Sequence, residues 1–471
     1  MTSDNNIEHD ESFRDSVATI SKEGRRNYIN PKKPHGKLYT KRTIFSIFYL
    51  IVFFTLPFIY VNDEPLLMIN ILERKFILFG AIFWPQDFFI FGLGMVTFVV
   101  FIVLFTVVFG RIFCGWACPQ TIFMEMVFRK IEYWIDGDST QQKQLRSMPW
   151  KGKKIAKRAF KFVAFFIISF IICTFFLSYL IGMKNIEHYV LYPAENLGSI
   201  TALFFFSWVF FFVYWWFREQ ACIVVCPYGR LQGVLLDKNS IVVAYDYKRG
   251  EPRGKIKKED PTAYSDCIDC AACVRVCPTG IDIRNGTQLE CVNCTACIDA
   301  CDDIMESIHK PKGLVRYASE NSISNGVQLK FTTRIKAYTV VLTLLISLLV
   351  FLVASREDIG ATLMRVSGMT YQTLPDGRIS NLYNLKLLNK THKEINIFLK
   401  LENMDGEVSL VGSSVSTIKK ADYTHLEFFV KLKRGDLKSW KTKLIISILD
   451  TKTLKKIKTL ECNFLGPEIY N

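Results

Sequence analysis

Long uncharged apolar runs recur along the first three quarters of the chain, and the last quarter changes period. Runs at about 43–61, 88–109, 162–181, 198–217 and 337–354 each approach the roughly 20 residues that a helix needs to cross a bilayer. They predict five membrane helices. A shorter apolar piece, 76–84, ends at Trp84 and Pro85; it is too brief to span and reads as an interfacial or re-entrant segment. The first run starts past residue 40, is too long for a signal-peptide core and has no small-residue cleavage site after it. From 379 to 465 polar and apolar residues alternate in short runs, such as Ile395-Asn396-Ile397-Phe398-Leu399 and Leu444-Ile445-Ile446-Ser447-Ile448. Turn signals at Asn403–Gly406 and Arg434–Asp436 separate them. This pattern predicts an antiparallel sandwich of roughly seven strands.

Charge orients the helices. Half the residues are apolar, yet the net charge is +15. Lys22, Arg25, Arg26, Lys32, Lys33, Lys37, Lys41 and Arg42 precede the first run, and Arg111, Arg129, Lys130, Arg146, Lys151, Lys153, Lys154, Lys157 and Arg158 follow the second. The opposite loops, 62–87 and 182–197, carry only Arg74, Lys75 and Lys184. Short basic loops stay in the cytoplasm, so the N-terminus and the 218–336 segment are expected inside. The tail from about 355 is expected outside, its own basic character notwithstanding, because long domains cross regardless of charge. The domains expected are a basic N-terminal segment (1–40), a membrane domain of two helical hairpins (41–230), a cluster-bearing domain (231–335), a fifth membrane helix (336–355) and the outer tail (356–471). Membrane lipid is the expected partner of the basic stretches, and no nucleic acid.

Eight cysteines carry the most specific chemistry. Cys267, Cys270, Cys273 and Cys277, then Cys291, Cys294, Cys297 and Cys301, repeat the spacing C-x2-C-x2-C-x3-C. In a bacterial two-cluster ferredoxin the fourth cysteine of each run ligates the other cluster. One 4Fe-4S centre is therefore expected on Cys267, Cys270, Cys273 and Cys301, and a second on Cys277, Cys291, Cys294 and Cys297. Zinc sites more often show two separated C-x2-C knuckles. Pro278 follows the first run as the pattern expects; Asp302 stands at the matching place in the second.

A second repeat lies at the ends of helices two and four: Arg111-Ile112-Phe113-Cys114-Gly115-Trp116-Ala117-Cys118-Pro119 and Arg218-Glu219-Gln220-Ala221-Cys222-Ile223-Val224-Val225-Cys226-Pro227. A spacing of four puts both sulfurs on one helical face, and the proline disfavours helical angles at the second cysteine. Cys114, Cys118, Cys222 and Cys226 could together bind a soft ion such as Cu(I), or iron or zinc. The plain alternative is packing, since free cysteine is a common core residue; Cys173 is read that way. Arg111, Arg129, Arg218 and Arg230 would either lower the thiol pKa values or anchor helix ends among headgroups. In the tail, His392 and His425 are isolated, Cys462 has no local disulfide partner, and the sequon Asn389-Lys390-Thr391 carries little weight.

The order of basic segment, paired hairpins closing in Cys-Gly-Trp-x-Cys-Pro-Gln and Cys-x3-Cys-Pro-Tyr-Gly-Arg, two-cluster insert, fifth helix and sandwich tail resembles the CcoG/FixG/RdxA family of cytochrome c oxidase accessory proteins. The likeness extends to Phe83-Trp84-Pro85-Gln86-Asp87. It implies a bacterial inner-membrane protein with an immunoglobulin-like periplasmic tail. It also implies a role in cbb-type cytochrome c oxidase assembly, by reducing Cu(II) to Cu(I), in contact with other assembly proteins or the catalytic subunit; Cys114, Cys118, Cys222 and Cys226 are the candidate residues for that step on their own spacing. No glycine-rich dinucleotide fingerprint is present, so the electron donor is another protein or a quinol. A quinol-linked relay and a scaffold with structural clusters are the competing functions. There is no C-x-x-C-H haem motif.

Overall fold

The computed structural model describes residues 18–20, 23, 25–71, 75–84, 87–255, 265–326, 333–366, 368, 370–412, 416–437 and 439–467. Lys22, Arg74, Pro85 and Gln86, used above, lie outside the described residues. The chain divides into two bodies, one made of Met1–Ile59 and Phe91–Leu348, the other of Tyr60–Ile90 and Leu349–Asn471.

Among the described residues five helices are long and apolar enough to cross a membrane: Lys37–Phe58, Phe88–Phe109, Gly152–Ile181, Leu197–Phe217 and Thr333–Ala354. The first and third begin well before their apolar runs because lysine and arginine are good helix formers and here find partners. Arg42 is buried and donates Nε to the Gly115 carbonyl at 2.7 Å. Lys154 donates to the carbonyls of Arg146 and Met148, closing the preceding turn.

In the same body, the ferredoxin insert is built on a two-stranded antiparallel ladder, Val242–Tyr245 with Val315–Ala318, and two helices, Ala272–Arg275 and Ala296–Ser307. The second helix continues six residues past Cys301, which is why Asp302 rather than proline follows that cysteine: a proline there would break the helix. Asp302 instead accepts the Gly313 amide at 2.8 Å. Asp299 on this helix accepts the amides of Leu38 and Tyr39 at 3.1 and 2.7 Å. It caps the first membrane helix, whose own N-cap, Gly36, has no side chain to do so.

The second body corrects two expectations. Residues 76–84 are not an interfacial or re-entrant segment: Leu67–Asn70, Lys75–Leu78 and Ala81–Phe83 form a three-stranded antiparallel sheet. The 41–230 membrane domain is accordingly interrupted, since Tyr60–Ile90 belongs with the tail. Met68, Ile77, Ile82 and Trp84 pack on Leu388, and Trp84 meets Tyr423 edge-on at 4.8 Å. Asp87 binds Lys390 at 2.6 Å and Arg356 at 3.0 Å.

The tail is a sandwich of nine described strands rather than seven. Gly406–Leu410, Tyr423–Leu432, Ile379–Asn389 and Ile359–Arg365 pair in that order, with Gln372–Thr373 beside Ile379–Asn389. Ser416–Ile418, Ile395–Leu401, Lys441–Asp450 and Lys456–Leu465 form the facing sheet. The alternation read in the sequence sends Tyr383, Leu385, Leu387, Phe428, Val430, Ile446 and Phe464 into one core. Asn389 is buried, and its amide donates to the carbonyls of Lys393 and Lys419, so the sequon's side chain is engaged inside the fold.

Candidate redox site

The two cysteine runs fold alike. In the first, Asp269 and Ala271 have φ of 51° and 53°; in the second, Asn293 and Thr295 have φ of 53° and 67°. These are the positions just before and just after each middle cysteine. Left-handed residues between right-handed ones turn successive amides toward one side, making a concavity suited to an anionic group. Cys267, Cys270, Cys273 and Cys301 line one cavity. Cys277, Cys291, Cys294 and Cys297 line a second, with Cys273 at the shared wall. Each cavity is thus lined by one thiol from the other run. Burial pushes Cys273, Cys291 and Cys301 up to about 12 and Cys294 to about 11. Thiolates in such surroundings need positive charge beside them, which iron supplies. The donor set, the amide-lined loops and the crossover all fit a 4Fe-4S cluster in each cavity.

The Cys-Pro repeat is also a repeat of backbone. Cys114 sits on the short helix Ile112–Trp116, while Cys118 is extended (φ −65°, ψ 125°) and starts the next helix with Pro119. Cys222 sits on the π-helical turn Ala221–Val225, while Cys226 is extended (φ −67°, ψ 113°) and starts Pro227–Leu235. Proline at the first helical position accounts for both breaks. All four thiols are half-buried and free of disulfides, and they lie near enough to interact electrostatically.

One expectation changes here. Arg111 does favour the Cys114 thiolate, but burial outweighs it and raises Cys114, and burial with neighbouring Cys118 raises Cys222 to about 12.

What joins the two Cys-Pro turns is Arg111, which is 5 % exposed. Its guanidinium bonds to the Gln232 side chain and the Leu289 carbonyl, and to the Gly229 carbonyl at 2.8 Å and the Cys291 carbonyl at 3.4 Å. One side chain therefore ties the first turn, the helix after the second turn and the second cysteine run together. The Gln232 amide donates to Cys114 Sγ at 3.4 Å. Gly115 lies against the cluster loop: a Cβ there would stand 2.4 Å from the Val292 carbonyl. Gly229 plays the matching part in the other turn, where a Cβ would meet the Cys222 carbonyl at 2.5 Å.

Arg129 and Arg218, offered above as thiol neighbours or headgroup anchors, are instead buried in an ionic network. Arg129 pairs with Glu125 at 2.9 Å and with Glu219 at 3.6 Å. Arg218 pairs with Glu132. Arg230 is exposed. Sequence reading missed Gln232, Gly115, Asn293 and the network carboxylates. The visible hint was Glu132 and Asp136, one helical turn apart, with Lys161 at the margin of an apolar run.

Comparison with known proteins agrees with this architecture. Residues 91–137 match the family "4Fe-4S binding domain", 217–320 match "4Fe-4S dicluster domain", and 349–467 match "IG-like fold at C-terminal of FixG". Protein RdxA of Cereibacter sphaeroides is 33 % identical over 74 % of this chain and 76 % of its own. Protein RdxB of the same organism is 33 % identical over 79 % and 81 %. The nitrogen fixation protein FixG of Rhizobium meliloti is 29 % identical over 87 % of each. The solved FixG-related protein of Vibrio parahaemolyticus matches 23 % of this chain and 97 % of its own at 20 % identity, with a TM-score of 0.21. Five candidate membrane helices, 4Fe-4S-binding domains and an immunoglobulin-like tail, with this identity over most of the chain, make it a member of the RdxA/FixG family of membrane iron-sulfur electron-transfer proteins.

Proposed function

We propose that the chain reduces Cu(II) to Cu(I) for cbb-type cytochrome c oxidase assembly, with the clusters as electron store and the Cys-Pro thiols as the copper-handling end. Each 4Fe-4S centre gives one electron and returns to its oxidised core, and one Cu(II) takes that electron to become Cu(I). Cys114, Cys118, Cys222 and Cys226 then hold the reduced ion, because thiolates favour soft Cu(I). Loading copper displaces the thiol protons of Cys114 and Cys222, so uptake falls as pH falls. An open set of thiols suits an ion that is passed on to an assembly protein or the catalytic subunit. The basic N-terminus and the clusters face the cytoplasm, and the sandwich faces the periplasm.

The observation that carries this reading is the contact of Gly115 and Arg111 with the Val292 and Cys291 carbonyls, which sets one Cys-Pro turn against the second cluster loop. The test is an anaerobic preparation of the Cys114→Ala/Cys118→Ala double variant. Both cluster signals should persist in paramagnetic resonance, while Cu(II) reduction and Cu(I) retention drop sharply. Parental copper turnover and copper content in that variant would remove the thiols from the mechanism.

A further inference from the structure

A cavity of about 240 Å³ lies beside this network, at the polar end of the third membrane helix and the end of the fourth. Glu132 and Asp136 from the helix Arg129–Asp136 form one wall, Lys161 and Phe165 a second, and Trp215 and Arg218 a third. Lys161 Nζ donates to Glu132 Oε1 and Asp136 Oδ2, both at 2.6 Å, and Arg218 donates to the other oxygen of Glu132. Asp136 is 4 % and Arg218 7 % exposed. Even so, Asp136 Oδ1 and Arg218 Nε have no hydrogen-bond partner among the described residues. Buried polar atoms are nearly always satisfied, so a bare acceptor and a bare donor on one cavity ask for a ligand that offers both.

The chemistry narrows that ligand. A phosphate or other anion would meet the unpaired Asp136 oxygen, and Lys161, Arg218 and Arg158 are already engaged with Glu132 and Asp136, which leaves Arg146, exposed at the rim, to draw it. A metal ion would meet Arg218 and Lys161. A neutral ligand with a hydroxyl to donate and an oxygen to accept avoids both conflicts, and half-buried Trp215 offers an aromatic wall to a ring, with Phe165 backing it edge-on at 5.6 Å. Phe165 belongs to the third membrane helix and Trp215 to the fourth, so two membrane-spanning segments supply walls of the cavity. Arg218 begins the segment that ends at Cys226, and Tyr214, beside Trp215 in sequence, neighbours Cys118 and Cys222.

We propose that this cavity binds the head group of a membrane quinol and that the quinol is the electron donor. The inference rests on the electron-transfer reading above and names its source of electrons. Oxidation breaks both O–H bonds of the quinol: two protons and two electrons leave and a quinone remains. Asp136 Oδ1 takes each proton in turn and passes it to water at the rim, where Arg146 is exposed. The two electrons go singly to the two oxidised clusters, one to each.

The test uses the full chain with its clusters, anaerobically, in lipid nanodiscs. Decylubiquinone and menadione should quench tryptophan fluorescence saturably and reoxidise clusters that Ti(III) citrate has reduced. Asp136→Asn, which keeps the shape and the Lys161 contact, should weaken binding of the reduced ligand, decylubiquinol, whose hydroxyl Asp136 accepts, by about tenfold or more. It should also slow cluster reoxidation, and leave reduction by Ti(III) unchanged. Phe165→Leu, which removes the ring behind Trp215 and its 5.6 Å cation contact with Lys161 but no hydrogen bond or ion pair of the network, should weaken ring binding. Absence of saturable binding, a dissociation constant and reoxidation rate unaltered in both variants, or saturable binding of inorganic phosphate instead would overturn the quinol site. The two readings fail separately. Ti(III)-reduced protein that turns over Cu(II) but ignores both quinones sinks only the donor, whereas quinone-coupled clusters that leave Cu(II) untouched sink only the copper step.

Discussion

Glu132, Asp136, Lys161, Arg129 and Arg218 are all buried in the body that holds the two cysteine runs, whereas the buried polar residues of the sandwich strands are the uncharged Ser380, Asn381, Asn389 and Ser447. Buried charge is poor value as a source of stability, because desolvation rivals the attraction between the partners. The sandwich needs none: Tyr383 stacks on Phe428 at 5.6 Å and its hydroxyl bonds to the Asn463 carbonyl at 2.9 Å, and alternation does the rest. The second body's buried carboxylate, Asp87, pairs with Lys390 and Arg356 outside the sandwich strands, so the contrast lies between a buried ionic network and an apolar sandwich core.

The contrast is open to direct attack. Glu132→Ala should have the largest effect, costing about 3–5 kcal/mol, since it strands Arg218 in a buried site and takes one carboxylate from Lys161. The same group makes this body acid-sensitive. Burial works against its charge, but Arg218, Lys161 and Arg129 outweigh burial and hold it below the usual carboxylate range. A carboxylate with a lowered folded pKa stabilises fully above its unfolded value, about 4.3, and that stabilisation is lost as pH falls through the folded value. Thermal unfolding followed by cluster absorbance should therefore soften progressively below about pH 5 in the parent. In Glu132→Ala that dependence should shrink; an unchanged acid profile would mean the network is not what holds this body.

Phe428→Ala should cost about 3–5 kcal/mol by leaving a cavity, with no pH dependence of its own. The loss should appear in the near-ultraviolet signal of the sandwich and leave cluster absorbance intact. A matching loss of clusters would show that the two bodies unfold together, and the comparison would dissolve into one cooperative unit.

The contrast also decides what could be read from the chain. Membrane runs and sandwich strands are local patterns, so their positions are legible, and eight cysteines at fixed spacing announce their own geometry. The sheet at Leu67–Phe83 was missed because short apolar strands cannot be told from an interfacial segment by periodicity; only packing against Leu388 and Tyr423 identifies them. Arg111 meets Gly229, Leu289 and Cys291 across 118 to 180 residues of chain, and no local pattern announces such a bond. Glu132 and Asp136 look like an ordinary solvated face until Lys161 and Arg218 close over them.

The smallest effect tests the contact on which the copper reading stands. Gly115→Ala adds one methyl group where the Val292 carbonyl and the Asn293 backbone already crowd within 3.0 Å. Backbone cannot swing aside as a side chain tip can, so the Cys-Pro turn and the cluster loop must separate, at about 1–3 kcal/mol. Gly435→Ala in the sandwich places the same methyl in open space and should shift stability by less than about 0.5 kcal/mol. Stability alone would make this a packing result. The informative measurement is the rate of Cu(II) reduction by Ti(III)-reduced protein with both clusters counted. Gly115→Ala should slow that rate while keeping iron and sulfide at parental levels, and Gly435→Ala should leave it alone. If Gly115→Ala loses stability yet reduces Cu(II) at the parental rate, electrons do not cross at this contact, and copper meets the clusters by another face.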